Sequence, residues 1–164
     1  MHIKLKNKKL IFNYYKVKCA VGKRGISKNK IEGDKKTPSG IFKFTKVYYR
    51  SDRIKKIQTS LRKVKIKRNM GWCDDPRSNK YNKPIRFPFN FSAEKLFKSK
   101  SIYDILIVLN YNTRPVIKNK GSAIFLHLAQ KNYKSTEGCI AVSKKDMRTL
   151  LKFIKKNTKI YINS

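Results

Sequence analysis

The feature that most constrains the fold of this chain is a strict alternation of apolar residues with lysine over short segments. Residues 3–6 read I-K-L-K, and residues 63–67 read K-V-K-I-K. A period of two places the apolar side chains on one face of an extended strand and the lysines on the other. Residues 7–9 (N-K-K) can turn, and residues 10–21 then read as one long returning strand. The N-terminus therefore predicts a β-hairpin with one buried face.

Strand signals dominate the rest of the chain as well. Turn residues at 37–40 (T-P-S-G) are followed by further predicted elements, namely strands at 41–49, 103–109 and 160–162 and a short capped helix at 92–98. Ser143 is placed to cap one helix, in which Met147, Leu150, Leu151 and Ile154 recur at helical spacing while lysines face outward. We therefore predict a mainly β fold, a curved mixed sheet or sandwich with a few short helices, in one domain over residues 1–164.

Charge is the most extreme property of the composition. The chain has 42 Lys and Arg against 9 Asp and Glu, a formal net charge of +33, while a hydrophobic content of 40% argues against disorder. The abundance of Lys, Asn and Ile indicates an AT-rich genome, so part of this charge is explained as drift on a solvated surface. An anionic wall polymer is the next explanation. Nucleic acid is the weakest, because the lysines are spread along the chain and no nucleic-acid-binding motif is present.

The cysteines do not indicate a metal site. Cys19, Cys73 and Cys139 lack paired ligand spacing, and a zinc site would have to recruit ligands from widely separated positions. We expect no metal and no cofactor. A disulfide between Cys19 and Cys73 is compatible with an oxidising compartment.

No targeting signal is visible in the N-terminal segment. Lysines interrupt its apolar residues, so it has neither the apolar core of a signal peptide nor an apolar run of about 20 residues. We expect a mature domain in aqueous solution, without a membrane span.

Residues 121–142 contain the most informative stretch, G-S-A-I-F-L-H-L-A-Q-K-N-Y-K-S-T-E-G-C-I-A-V. It reads as a strand ending near His127, a polar loop at 130–137, and a second strand that begins at Gly138 and Cys139. If strands alternate faces, His127 lies on the side of Ala123 and Phe125, and Cys139 lies on the side of Ala141. A hairpin of this kind would bring the imidazole and the thiol together.

A histidine beside a cysteine suits nucleophilic catalysis. The imidazole takes the thiol proton and later protonates the leaving amine, while backbone N–H groups near Gly138 hold the oxyanion. Ser135 and Thr136 add hydroxyl groups to this loop. The alternative from spacing alone is structural: a small buried thiol, and a histidine hydrogen-bonded at a strand end.

Three ordered blocks resemble the L,D-transpeptidase catalytic domain (YkuD-like) family. His127 followed by S-T-E-G-C-I-A-V is similar to the family pattern of His, a spacer, and Ser/Thr-x-Gly-Cys, although Glu137 stands where many members have His immediately before the Gly-Cys. G-D-K-K-T-P-S-G-I-F at 33–42 resembles an upstream family segment. G-W-C-D-D-P at 71–76, with Tyr81 and Asn82, resembles a block of one bacterial branch.

The resemblance implies a reaction. Cys139 would attack the L-centre to D-centre peptide bond of a peptidoglycan stem and form a thioester, with His127 as general base and then acid, and Gly138 and Cys139 as oxyanion donors. It implies peptidoglycan stem peptides as partners, carbapenem β-lactams as covalent inhibitors, and the cell envelope or periplasm as location. Thr136 and Ser135 would shape the oxyanion hole.

Further candidates for substrate binding follow from the resemblance and from residue type. In the branch resembled here the segment around Arg50 and Arg53 lies beside the cleft, where these guanidinium groups would hold a carboxylate. The adjacent acids of a chain so poor in acids would recognise an ammonium group or form a turn. The full candidate set is Arg50, Arg53, Trp72, Asp74, Asp75, Tyr111 and Asn112.

Two other functions stay open at this point. An L,D-carboxypeptidase of the same fold would pass the thioester to water instead of an amine. A non-catalytic basic protein would bind nucleic acid or a wall polymer, with Cys139 merely buried.

Overall fold

A ring of β-strands organises residues 1–163, the part of the chain that the computed structural model describes. Its strands are β1 (His2–Lys6), β2 (Lys9–Phe12), β3 (Tyr15–Ala20), β4 (Ile26–Ser27), β5 (Thr37–Pro38), β6 (Gly40–Tyr49), β7 (Arg62–Lys65), β8 (Met70–Cys73), β9 (Pro84–Arg86), β10 (Ala93–Lys95), β11 (Ile105–Leu109), β12 (Phe125–Leu128), β13 (Ile140–Val142) and β14 (Lys159–Ile162). The helix α1 spans Lys144–Phe153, and single 3₁₀ turns cover Ser101–Tyr103 and Lys131–Tyr133. The predicted mainly β fold is confirmed.

The ring closes because the long strand β6 pairs on both sides. The strand order is β11-β12-β13-β3-β2-β1-β14-β6, and β6 also pairs with β11, while β7 lies outside the ring beside β6. β1 and β14, β12 and β13, and β6 and β7 run parallel, and the remaining neighbours are antiparallel. The sheet is therefore mixed and strongly curved, as predicted.

The inner face of the ring is aliphatic. Every strand of the ring contributes alternate residues to one cluster, including Ile3, Leu10, Val17, Val47, Ile107, Leu126, Ile140 and Ile160, each 8% exposed or less. Helix α1 begins where predicted, since the Ser143 hydroxyl accepts from the Asp146 N–H at 3.1 Å, and it adds Met147 and Leu150 to the same core. The lysines that alternate in β1 lie on the opposite, exposed face.

Part of the outer face of the ring is covered by a second, largely aromatic cluster. The small sheet β10-β8-β9 and the turn Ser101–Tyr103 pack over β11 and β12. This cluster contains Tyr48, Ile66, Trp72, Leu96, Tyr103, Leu106, Val108 and Phe125. It explains why the apolar run at 105–109 does not alternate, because both faces of β11 are buried.

Three predictions of local structure were wrong. Residues 10–21 are two strands, because Asn13 adopts a positive φ of 46° and the chain reverses there between β2 and β3. Residues 93–95 form β10 and not a helix, since pairing with β8 outweighs the local capping signal. Thr37 and Pro38 form β5 beside β4.

The connection between β12 and β13 also differs from the prediction. These strands are parallel neighbours and not a hairpin. Residues 129–139 carry the chain from the end of β12 back to the start of β13, a length close to the dozen residues that a parallel crossover needs. No helix within residues 1–163 is long and apolar enough to cross a bilayer. Cys19 and Cys73 are buried free thiols, so the disulfide considered above is not formed.

Candidate active site

A cavity of about 550 Å³ opens on the outer face of β12 and β13. It collects the predicted nucleophile and base together with the loop between them. Its wall includes Asp74, Glu94, Tyr103, Ser122, His127, Ser135, Thr136, Gly138 and Cys139. Strand β12 is only four residues long, so one cavity extends from Cys139, beside the start of β12, to His127 near its end.

Strand register places His127 and Cys139 on the same face. His127 is opposite Ala141, and Cys139 lies two residues before Ala141. The Phe125 N–H donates to Cys139 Sγ at 3.3 Å, so the thiol lies beside the start of β12 and the imidazole beside its end. The intervening residues Leu126 and Ile140 point into the inner core. Alternation alone thus directs both reactive groups into the cavity.

His127 is held as a neutral base. Its Nδ1 lies 2.9 Å from the Leu128 carbonyl oxygen, which can only accept, so Nδ1 carries the proton and Nε2 keeps its lone pair. Burial lowers the pKa of His127 to about 4, the charge of Lys98 adds to this, and the Leu128 carbonyl opposes it. The Tyr103 ring packs edge-on against the imidazole with centroids 5.4 Å apart. The imidazole is therefore oriented and uncharged at neutral pH.

Cys139 is held as a thiol. Its Sγ donates to the Ala123 carbonyl oxygen at 3.1 Å and accepts from the Phe125 N–H. Burial, with a smaller effect of Glu94, raises the pKa of Cys139 to about 12, and the Phe125 N–H and the charge of Lys30 oppose the rise. The resting site is consequently a neutral pair and not a thiolate–imidazolium pair.

The turn before the nucleophile depends on a glycine and a threonine. Gly138 has a φ of 139°, and a Cβ there would lie 2.9 Å from the Lys36 carbonyl oxygen. The Thr136 hydroxyl accepts from the Gly138 N–H at 3.2 Å and donates to the Cys139 carbonyl oxygen. Lys36 belongs to the G-D-K-K-T-P segment, so that segment contacts the nucleophile turn directly.

The block around Trp72 supports the loop that precedes β12. Asn82 Oδ1 accepts from both Trp72 Nε1 at 2.9 Å and the Ala123 N–H at 3.0 Å. The Tyr81 hydroxyl accepts from the Gly121 N–H at 3.0 Å. These contacts position the loop whose Ala123 carbonyl holds the thiol. Trp72 itself is 5% exposed, belongs to the aromatic cluster, and does not line the cavity.

Neither predicted arginine reaches the cavity. Arg50 makes two hydrogen bonds to the Asp52 carboxylate, at 2.6 and 2.8 Å, and its guanidinium stacks 3.5 Å from the centre of the Phe97 ring. Arg53 pairs with Asp104 at 3.0 Å. Both guanidinium groups thus bind the protein's own carboxylates, which are the partners that a substrate carboxylate would have to replace.

Tyr111 and Asn112 are also engaged outside the cavity. The Tyr111 hydroxyl donates to the Lys120 carbonyl oxygen. Asn112 Nδ2 donates to the Gly121 carbonyl oxygen at 2.9 Å. Both residues thus hold the loop that leads to β12 in place by hydrogen bonds to its backbone.

The adjacent acids Asp74 and Asp75 have different surroundings. Asp75 is 5% exposed and accepts from Arg77 Nη2 at 2.7 Å and from the Arg77 N–H at 3.0 Å. These contacts hold the pKa of Asp75 well below its usual range. Asp74 lines the cavity. Of the two interpretations given above, Asp75 fits the turn, and Asp74 has the location that ligand recognition requires.

Several residues of the wall were not found from the sequence. Glu94 accepts from the Tyr103 hydroxyl at 2.8 Å and pairs with Lys98 at 3.2 Å. Lys30 is buried, and its Nζ lies 2.7 Å from Asp34 Oδ1. The scarcity of acids was a usable signal for Glu94, whereas no local pattern marks Ser122. Within residues 1–163, no three His, Cys, Asp or Glu side chains are grouped as metal ligands.

Comparison with protein families gives one match. The model of the L,D-transpeptidase catalytic domain family (YkuD) matches residues 2–162, which is nearly the whole chain. The comparisons with curated proteins and with solved structures find no significant match.

Proposed function

The chain belongs to the L,D-transpeptidase catalytic domain family, and from this premise we propose that it is a cysteine-dependent L,D-transpeptidase of peptidoglycan stem peptides. The observation that carries the proposal is the pairing in one cavity of a free thiol, Cys139, with a neutral imidazole, His127, whose Nε2 is available to accept a proton. This substrate makes the cell envelope or periplasm the proposed site of action.

The first step is the attack of Cys139 on the stem. Sγ bonds to the carbonyl carbon of the peptide bond between an L-centre and a D-centre, while the thiol proton passes to His127 Nε2. Both groups are neutral at rest, so the reaction must move the thiol proton to the imidazole. The thiol gives up its hydrogen bond to Ala123 in this step.

The tetrahedral intermediate then collapses to a thioester. Its C–N bond breaks, and His127 returns the proton to the leaving amine of the terminal D-amino acid. The N–H groups of Gly138 and Cys139 lie beside the nucleophile and are the proposed donors to the oxyanion. At rest the Gly138 N–H donates to Thr136, so this hydrogen bond would be exchanged for the oxyanion.

Transfer to a second stem completes the cycle. An acceptor amine attacks the thioester carbonyl, His127 takes a proton from that amine, and the same proton returns to sulfur as the C–S bond breaks. The products are a new amide and the free thiol. Attack by water instead yields a carboxylate, which is the L,D-carboxypeptidase reaction.

A test of the nucleophile uses a carbapenem, which acylates enzymes of this chemistry. Intact-mass measurement should show one adduct on the native protein and none on Cys139→Ala. Cys19→Ala and Cys73→Ala serve as matched controls and should keep the adduct. An adduct that persists on Cys139→Ala, or no adduct on a folded native protein, would refute the assignment of Cys139.

A second assay identifies the acceptor. With purified stem tetrapeptides, cross-linked dimers indicate an L,D-transpeptidase, and trimmed tripeptides alone indicate an L,D-carboxypeptidase. Salt-sensitive polymer binding that survives Cys139→Ala, without turnover of any stem, would favour the non-catalytic basic protein.

A further inference from the structure

A buried ammonium group lies in the wall of the catalytic cavity and takes no part in the steps described above. Lys30 is 5% exposed, and it is the only buried lysine among residues 1–163. Its side chain lines the cavity together with the nucleophile turn. Burying a charge is costly, so a lysine in this position requires specific partners and an explanation.

The ammonium group is held by two acceptors. Lys30 Nζ donates to Asp34 Oδ1 at 2.7 Å and to the Ile31 carbonyl oxygen at 3.3 Å. An ammonium group has three N–H bonds. Within residues 1–163 the structure gives the third of these no acceptor. Lys30 is therefore fixed in place and keeps one donor to offer.

The ion pair has a defined orientation relative to the cavity. Asp34 also accepts from the backbone N–H groups of Ile31 and Lys36, each at 2.9 Å, so its carboxylate is bound to its own loop. Lys30 lines the cavity, whereas Asp34 does not. The positive end of the pair therefore faces the cavity.

Two glycines bring this charge close to the nucleophile turn. A Cβ at Gly138 would lie 3.6 Å from Lys30 Nζ, and a Cβ at Gly121 would lie 2.9 Å from Lys30 Cε. The aliphatic part of Lys30 thus passes the Gly121 backbone, and its charged end lies beside the residue that precedes Cys139. Because the ammonium group is buried, water and salt screen its charge only weakly.

Acylation creates negative charge at this location. When the thiol proton passes to His127, Cys139 Sγ becomes negative. As the C–S bond forms, the electron pair of the substrate C=O bond moves to oxygen, and the charge moves with it. A positive charge that is fixed in advance stabilises both species without reorganising during the reaction. The charge of Lys30 also opposes the increase that burial and Glu94 cause in the pKa of Cys139.

We propose that Lys30 is an electrostatic residue of the acylation step, whose ammonium group, held by Asp34 beside Gly138, stabilises the negative charge that develops on the Cys139 sulfur and then on the oxyanion. The role in acylation rests on the proposed function. The effect on the Cys139 thiolate does not require that function.

A purely structural role is the alternative that an experiment must separate from this one. Asp34 accepts from the Lys36 N–H, and the Lys36 carbonyl oxygen lies where a Cβ at Gly138 would meet it, at 2.9 Å. The ion pair could therefore serve only to hold the turn in place. In that case breaking the pair from either side should have the same effect on Cys139.

Two variants distinguish charge from structure. Lys30→Met combined with Asp34→Asn removes both charges and leaves no unpaired buried charge, whereas Asp34→Asn alone breaks the ion pair and keeps the ammonium group. The rate measured is alkylation of Cys139 by iodoacetamide, a neutral reagent that reacts with the thiolate, followed by peptide mass. We expect the double variant to react about tenfold more slowly, and Asp34→Asn to react at the native rate or faster. Carbapenem acylation should rank the proteins in the same order.

The matched control is Lys35→Met. It removes one positive charge from the same segment, at an exposed lysine that pairs with Glu137 at 3.3 Å, directly before Gly138. Water screens this charge, so the alkylation rate should stay within about threefold of the native rate. Urea unfolding checks that each variant is folded. If the double variant does not fold, Lys30→Gln, which can still donate to Asp34, replaces it with the same expected slowing.

Three outcomes would overturn the role of Lys30. A folded double variant that reacts within threefold of the native rate would show that the ammonium group does not act on Cys139. Equal slowing in Asp34→Asn would restrict the ion pair to holding the turn. Equal slowing in Lys35→Met would assign the effect to net charge and not to the buried ammonium group.

The two reagents separate this inference from the proposed function. Alkylation of native Cys139 without any carbapenem adduct would refute the proposed chemistry, and the variants would still decide whether Lys30 stabilises the thiolate. A carbapenem adduct that forms equally fast in the native protein and in the double variant would refute the role of Lys30 and leave the nucleophile in place.

Discussion

The two faces of strands β12 and β13 share a backbone and differ in nearly every other respect. Inward, Leu126 and Ile140 are fully buried in the aliphatic core of the closed ring. Outward, His127 and Cys139 line a cavity that aromatic residues wall off on one side. Neighbouring residues of one strand therefore serve different purposes: one packs in the core, and the next lines the reactive cavity. The rigid inner face is what fixes the direction of the reactive groups.

The largest effect should come from the outer face. His127→Gln removes the only base that the proposed mechanism uses, and we expect carbapenem acylation of Cys139 to slow by about 10²–10⁴-fold. The rate is followed by intact mass at pH 7.5, with urea unfolding as the check on folding. A rate within threefold of the native protein would show that another group accepts the thiol proton.

The neighbouring inner residue should show the opposite pattern. Leu126→Ala leaves a cavity in the core and should lower the free energy of unfolding by about 3 kcal/mol. The acylation rate of the folded fraction should change by less than about threefold. The comparison fails if Leu126→Ala slows acylation as strongly as His127→Gln does.

His127 also links stability to pH. Its folded pKa of about 4 lies below the ordinary value of 6.5, so between these values the unfolded chain binds a proton that the folded chain does not. Stability should therefore fall as pH falls, by about 2 kcal/mol between pH 7.5 and pH 5. Urea titrations at both pH values measure this loss. It should be absent in His127→Gln, and an equal loss in both proteins would contradict the neutral buried imidazole.

The smallest effect should come from the turn at residues 136–139, directly before β13. Thr136→Val removes the hydroxyl that bridges Gly138 and Cys139, and should cost about 1 kcal/mol of stability. Acylation should slow by about tenfold if the turn positions the oxyanion donors. Thr136→Ser, which keeps the hydroxyl, is the control. Equal rates for the valine and serine variants would restrict Thr136 to a structural role.

Much of the fold could be predicted from residues that are close together in the sequence. Alternation predicted the buried face of β1, and the strand predicted at 103–109 is present as β11. The capping serine and the apolar spacing predicted α1. These features depend on residues close in sequence, which is why a period and a cap are enough to find them.

The roles of charged and polar residues were less accessible. Arg50 has the chemistry of a carboxylate receptor, but Asp52 supplies that carboxylate from within the chain. Asp74 and Asp75 are indistinguishable as neighbours in sequence, and only their contacts separate them. A side chain with several possible partners is assigned by whichever partner the tertiary structure brings nearest.

By itself, the sequence determined the β character of the chain and the two-face pattern of its strands, and it placed a histidine and a cysteine in two of the strand segments. Only the tertiary structure decided that β12 and β13 run parallel, that β6 closes the ring onto β11, and that Asp74 and Ser122 share the wall of one cavity. The physical reason is the distance along the sequence over which each kind of interaction acts. Periodicity and capping act over a few residues, whereas ring closure and cavity walls join segments more than forty residues apart, such as those that meet at Asn82.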